Sequence, residues 1–438
     1  MSFRCIVMGA AGRDFHDFQT FFVSHPDFRV VCFTAEQIPY IDQRSFPRSL
    51  AGPGYEEDIP IYNEGRLEEL IRAHKVEFVF LSYSDLAHAD VMHKACRVQA
   101  AGASFALLGP NHTMLHSDKP VVAVTAVRTG AGKSPISQLI AGHLVKGGRR
   151  AGVLRHPMPY GDLEKQAVQR FATADDLDLH ECTVEEREEY APYVERGLTI
   201  FAGVNYAGIL AAAEAESDVI LWDGGNNDTP FVRPKLWIAV LDALRPGHEV
   251  SFYPGETNFR GADVLVINKV DQQHDPRELQ DMLGRIAAIR PDATVITAAL
   301  EVVGDETLVR GKRVLVIEDG PTTTHGGMAY GAGHVFARRA GAAELIDPRP
   351  HAVGSIAETL AKYPHVTEIL PAMGYSDEQR ADLAETIRRA RPDVVIDASP
   401  ARVAKLLKID LPLVQVDYRF AQRSGPPLLD LVEQAIRG

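Results

Sequence analysis

The chain has 438 residues, 45% of them hydrophobic, and a formal net charge of −13. This length exceeds one hydrophobic core and implies two or three domains, while an acidic balance without a sustained basic tract excludes a broad nucleic-acid-binding surface. The four cysteines (Cys5, Cys32, Cys96 and Cys182) are scattered and no apolar run approaches a membrane span, so the expectation is a cytoplasmic protein partnered by neither nucleic acid nor membrane.

Residues 1–118 alternate strand-like runs (3–8, 28–33, 59–62, 78–82, 104–108) with helical patterns, which predicts a Rossmann-like N-terminal domain built on a parallel sheet. Its first strand-to-helix turn, Gly9-Ala-Ala-Gly-Arg-Asp-Phe-His16, lacks the full dinucleotide fingerprint. Gly9 and Gly12 suit a tight turn that presents Arg13, Asp14 and His16 to a cleft. After the fourth strand, Asp85 and His88 are open to two equal readings, facing a ligand or lining and capping the next helix.

Residues 119–310 form the second expected domain. In Ala123-Val-Thr-Ala-Val-Arg-Thr-Gly-Ala-Gly-Lys-Ser134 a β-branched run enters a Gly-rich loop, and an apolar-periodic helix follows. Such a loop converges backbone N–H groups on phosphates at a helix N-terminus. Thr129, Gly130, Ala131, Gly132, Lys133 and Ser134 are the expected nucleotide-binding residues, with Lys133 at the β- and γ-phosphates and Ser134 on Mg²⁺. The pattern fits the short loop of the dethiobiotin-synthetase-like and ParA-like branch, with Arg128 where ParA-like members carry a signature lysine. Asp223 ends the apolar run 217–223 and is placed as a second Mg²⁺ ligand. Asn268-Lys-Val-Asp271 ends another strand; there Asn268 and Asp271 would read a base edge while Lys269 packs along the ring. The charged stretch 162–195 reads as a helix-rich insertion, with acids solvated rather than metal-bound.

Residues 311–438 are expected to form a small C-terminal α/β module, with strands at 313–317, 366–370, 394–398 and 413–416. After the first of these, Glu318-Asp-Gly-Pro-Thr-Thr-Thr-His-Gly-Gly327 and its continuation to Gly333 suit an anion-binding concavity; a long flexible turn is the alternative.

Together, the turns at 9–16, 125–134 and 318–327 and the segment Leu154-Arg-His-Pro-Met-Pro-Tyr-Gly161 resemble cyclic 2,3-diphosphoglycerate synthetase and its bacterial relatives, across the whole chain. The resemblance implies a homodimeric, cytoplasmic, ATP- and Mg²⁺-dependent ligase that closes a small phosphorylated acid into an intramolecular phosphoanhydride. It further implies that Arg13, His16, Arg155, His156, Thr324 and His325 bind the small anionic substrate. Lys133, Asp223, Arg128 and His325 would then carry catalysis. The alternative function, suggested by Asn268-Lys-Val-Asp271, is a P-loop GTPase acting as a switch or metallochaperone.

Overall fold

The computed structural model describes residues 2–9, 12–36, 44–155, 161–225, 228–318, 323, 329–372, 377–399, 402–407 and 409–437. They form an α/β fold, as the alternating patterns predict, and divide into two compact units. The first comprises Met1–Ala172, Arg196–Ala299 and Gln422–Gly438; the second comprises Thr173–Glu195 and Leu300–Ala421. The N-terminal and P-loop segments therefore share one unit. The charged helical segment belongs to the other.

Within the first unit, the N-terminal sheet runs in the order Ser45–Phe46, Ile59–Asn63, Phe28–Ala35, Phe3–Met8, Phe78–Leu81, Ser104–Ala106. All neighbours are parallel except the edge strand Ser45–Phe46. The side-chain period of two divides Phe3–Met8 between two cores. Cys5 and Val7 pack with Phe15, Phe18, Phe33 and Phe46, whereas Ile6 and Met8 pack with Leu70, Ile71 and Val98.

The second sheet runs Gln169–Phe171, Thr199–Ala202, Ala151–Arg155, Val219–Asp223, Val121–Ala126, Leu236–Asp242, Val264–Asn268, Thr294–Val303, Asp417–Ser424. Val121–Ala126 and Leu236–Asp242 are buried at every residue, as expected for central parallel strands covered on both faces. Register pairs Asp223 with Val124, Ala126 with Val240, and Asp242 with Asn268. Three polar side chains thus emerge at the carboxyl ends of neighbouring strands, where ligands bind in open α/β sheets. The helix Leu428–Arg437 returns to this unit, and its Glu433 accepts hydrogen bonds from Arg149 at 2.7 and 2.8 Å.

The second unit has its own parallel sheet, ordered Glu344–Leu345, Arg313–Glu318, Val394–Asp397, Leu413–Gln415, with Leu370–Pro371 also beside Arg313–Glu318. The strand expected at 366–370 contracts to Leu370–Pro371. Pro371 has no amide to continue a ladder, and Glu368 before it is held by His334 and Arg338. In the helical segment, Asp176 and Glu186 complete capping boxes with Thr173 and Thr183, a use of acids that needs no metal. Among the described residues, no helix is long and apolar enough to cross a membrane.

Candidate active site

The strand Val121–Ala126 delivers the chain into a turn that only glycine tolerates well. Gly130 and Gly132 have φ of 78° and 97°, and Gly132 caps the helix Lys133–Lys146. The loop's carbonyls are tied from outside. Asn268 Nδ2 donates to Ala131 O at 2.9 Å, Lys269 Nζ to Gly130 O at 2.7 Å, and Arg245 to Thr129 O at 2.8 Å. Lys269 and Arg245 are themselves gathered by the buried Asp242, at 2.8 and 2.9 Å. Burial pushes the Asp242 carboxyl up, but Lys269 and Arg245 more than offset it, leaving it below its ordinary value. Asn268 and Lys269 therefore brace the phosphate loop. Asp271 lies at the surface and accepts two hydrogen bonds from Arg423, at 2.9 and 2.6 Å.

Lys133 reaches across to the next strand, with its Nζ 2.5 Å from Asp223 Oδ1. Arg155, from the strand beyond, donates to the other carboxylate oxygen. Asp223 is fully buried, so it is a charge the fold tolerates only between these two cations. Burial pulls the Lys133 ammonium below its ordinary value, and Asp223 works against that shift. Ser134 follows in the first turn of the helix, half-buried.

Arg128 takes a different direction from the one expected of a catalytic group. Its Nε donates to Asp85 at 2.6 Å, Nη1 lies 2.8 Å from His248 Nδ1, and the guanidinium sits 3.6 Å over the Phe252 ring. Of the two readings left open by the sequence, facing a ligand or capping and lining the next helix, Asp85 does not take the capping one: it anchors Arg128. The cap of the following helix is Ala87. His88 instead lies 3.5 Å from Glu256.

At the first turn of the N-terminal sheet, Gly9 and Gly12 have φ of 133° and 145°. A Cβ at Gly9 would stand 2.8 Å from the Asp14 carboxylate, which itself accepts from the amides of Gly12 (2.7 Å) and Phe15 (2.8 Å). Arg13 is buried, with Nε 3.6 Å from Asp17 and Nη1 3.9 Å from Asp228. His16 stacks on Phe231 at 4.0 Å, and its Nε2 meets Thr113 O at 2.6 Å. Burial drives the His16 pKa down to about 3, so the ring is neutral packing material rather than an anion-binding cation.

Of the residues expected to hold an anionic substrate, Arg13 thus stands between two carboxylates, His16 is in the core, and Arg155 is engaged by Asp223. His156, Thr324 and His325 lie outside the described residues. In the second unit, Glu318 accepts from the amides of Gly331 (3.1 Å) and His334 (2.8 Å), and the His334 ring meets Glu368 at 2.8 Å. Sequence reasoning missed Asp17, Ser82, Asp228, Asp242 and Arg245. The signals were present: Asp17 is one helical turn from Arg13, and Asp228 follows closely on Asp223-Gly-Gly.

Arginine synthetase ArcE of Thermococcus kodakarensis is 54% identical over 432 residues, spanning 98% of this chain and 96% of that protein. The chain belongs to the ArcE family. No family model matches this ArcE relative. Among solved structures, it is similar to LpxK from Aquifex aeolicus in complex with ATP, at 12% identity and a TM-score of 0.42 over 74% of this chain and 90% of that one. A second is cobyrinic acid a,c-diamide synthase from Mycobacterium smegmatis, at 16% identity and a TM-score of 0.18 over 41% and 72%. Likenesses so loose identify neither a ligand nor an activity. None of these proteins carries the name of the cyclic 2,3-diphosphoglycerate synthetase family.

Proposed function

We propose that the chain is an ATP-dependent ligase that completes the guanidino group of arginine. The observation that carries this reading is the 54% identity, over nearly the whole of both chains, to a protein named arginine synthetase. The phosphate loop supplies a fitting place for ATP: two positive-φ glycines at a helix N-terminus, a lysine, and a buried carboxylate on the adjoining strand. Ser134 and Asp223 would hold a magnesium ion, which when bound neutralises charge on the phosphates.

The chemistry follows from the product. Arginine differs from a ureido amino acid by one nitrogen in place of one oxygen, and that oxygen leaves only once activated. The ureido oxygen attacks the γ-phosphorus of ATP, the bond to the bridging oxygen breaks, and ADP departs. Ammonia then attacks the activated carbon, and the oxygen leaves as phosphate, taking one ammonia proton with it. Lys133 would release Asp223 to follow the transferring phosphoryl group, while Arg155 remains to balance that carboxylate. Catalysis of this kind is positioning and charge neutralisation.

Closure of 2,3-diphosphoglycerate into its cyclic diphosphate shares the first half of this chemistry. It is the weaker reading, because Asp17 and Asp228 flank Arg13, the described cation of the first turn that a polyanion would need. The GTPase reading leans on Asp271, whose carboxylate is occupied by Arg423. A single experiment separates the three. Purified chain is given ATP or GTP with Mg²⁺ and either a ureido amino acid with ammonium or 2,3-diphosphoglycerate. Arginine formed in step with ADP supports the proposal. Turnover on 2,3-diphosphoglycerate alone, or on GTP without any acceptor, removes it. Self-association as a homodimer is a further proposal, read by sedimentation of the same preparation.

A further inference from the structure

The first turn of the N-terminal sheet holds more polar chemistry than the fold uses. Arg13 is 4% exposed, and its Nε and Nη1 have no hydrogen-bond partner among the described residues. The two carboxylates beside it stand at 3.6 and 3.9 Å, in ion-pair range but beyond hydrogen-bond length. Asp17 is 1% exposed; Ser82 donates to its Oδ2 at 2.8 Å, and its Oδ1 has no partner among the described residues. The hydroxyl of Thr229, also 1% exposed, is in the same condition. Buried charged groups ordinarily complete their hydrogen bonds, so the orphaned donors of Arg13 beside the orphaned acceptor of Asp17 point to a ligand.

The charge of Asp228 acts on both Arg13 and Lys133, so this cluster and the phosphate loop belong to one electrostatic neighbourhood. With His16 neutral, Arg13 is outnumbered by Asp17 and Asp228, so the cluster itself offers a polyanion no surplus of positive charge. And the cluster offers both signs, a guanidinium whose paired donors match a carboxylate and carboxylates that match an ammonium.

We infer that Arg13, Asp17 and Asp228 form the site that grips the α-amino-acid end of the substrate, Arg13 taking its carboxylate and Asp17 with Asp228 its ammonium, which orients the far end of the side chain toward the phosphate loop. This rests on the arginine-forming reading above and names the residues that select its substrate. Residues 12–17 thereby become a specificity element.

The test is a matched series of ligands and variants. Full-length protein is titrated calorimetrically, with a non-hydrolysable ATP analogue and Mg²⁺ present, against arginine, agmatine (no carboxylate) and Nα-acetylarginine (no ammonium). Wild type should bind arginine at least tenfold tighter than either analogue. Arg13→Lys should weaken arginine about tenfold or more and leave agmatine unchanged. Asp17→Asn should weaken arginine and agmatine alike and leave Nα-acetylarginine unchanged. An unaltered affinity for the ATP analogue reports that each variant keeps its fold. Variants that weaken all three ligands equally, or none, overturn the site while leaving the ligase reading in place if wild type still makes arginine. If a variant does not fold, the wild-type series decides, and equal binding of the three ligands overturns the inference. A wild type that forms no arginine defeats the ligase reading itself.

Discussion

The first unit contains two glycine-bearing turns, each at the carboxyl end of the first strand of its sheet, and they solve opposite problems. In the phosphate loop the carbonyls of Thr129, Gly130 and Ala131 are tied back by Arg245, Lys269 and Asn268. In the Gly9 turn it is the amides of Gly12 and Phe15 that are tied back, by Asp14. One turn is braced through its carbonyls; the other is capped through its amides. A glycine pattern alone does not say which backbone groups of a turn are tied and which are left. The braces do.

The largest effect is expected at the phosphate loop. Lys133→Ala should reduce kcat for ADP formation by about 10²–10³-fold, the scale of removing one preorganised charge donor from a transition state, with the far-ultraviolet circular dichroism spectrum unchanged. Retained turnover would mean that the loop does not carry phosphoryl transfer. Next comes the brace. Asp242→Ala leaves Lys269 and Arg245 without their shared partner and should lower unfolding free energy by about 3 kcal/mol in urea titrations, with weakened nucleotide binding. A smaller effect is expected behind the loop, where a Cβ on Gly255 would collide with the Val127 carbonyl. Gly255→Ala should cost about 1–3 kcal/mol in the same titration, and no loss would show that the loop entry can shift freely.

At the Gly9 turn the expected effect is one of pH. Burial raises the Asp17 pKa from 3.8 to about 6, with Arg13 and Ser82 opposing. Between those values the folded chain binds a proton that the unfolded chain does not. Wild type should therefore gain stability relative to Asp17→Asn as the pH falls from 6 toward 4, and lose that advantage as pH rises through 6. His16, whose pKa is lowered from 6.5 to about 3, acts in the reverse sense, because the unfolded ring takes up a proton that the buried ring refuses. The difference between wild type and Asp17→Asn cancels the His16 contribution. Parallel pH profiles for the two proteins would contradict a buried, ionisable Asp17.

Much of the phosphate loop could be read directly from the sequence, because local order there creates local function: strand, glycines, lysine and helix are contiguous. Asp223 was found for the same reason, as the acid that ends a buried run. What could not be read was the use made of a charge once distant segments met. Arg128 stands next to the loop in sequence, yet it is bound by Asp85, 43 residues away. Asp271 matches a base-reading pattern, yet it is held by Arg423, 152 residues on. Arg13 looked like one more cation for an acidic ligand until Asp228 arrived beside it from the segment that follows the strand Val219–Asp223. Composition names the charge, but only tertiary neighbours fix its sign balance.

Glu433 and Arg149, a bidentate pair separated by 284 residues, join the helix Leu428–Arg437 to the start of the strand Ala151–Arg155. Because Gln422–Gly438 belongs to the first unit while residues 300–421 belong to the second, the earlier unit cannot finish folding until the later one has been synthesised. During translation the phosphate loop would wait beside an incomplete sheet for the last strand and helix to arrive, a long loop-closure step that sets folding rate far more than final stability. Ribosome-bound chains truncated before residue 422 should therefore be markedly more protease-sensitive in Val121–Asp223 than the released protein.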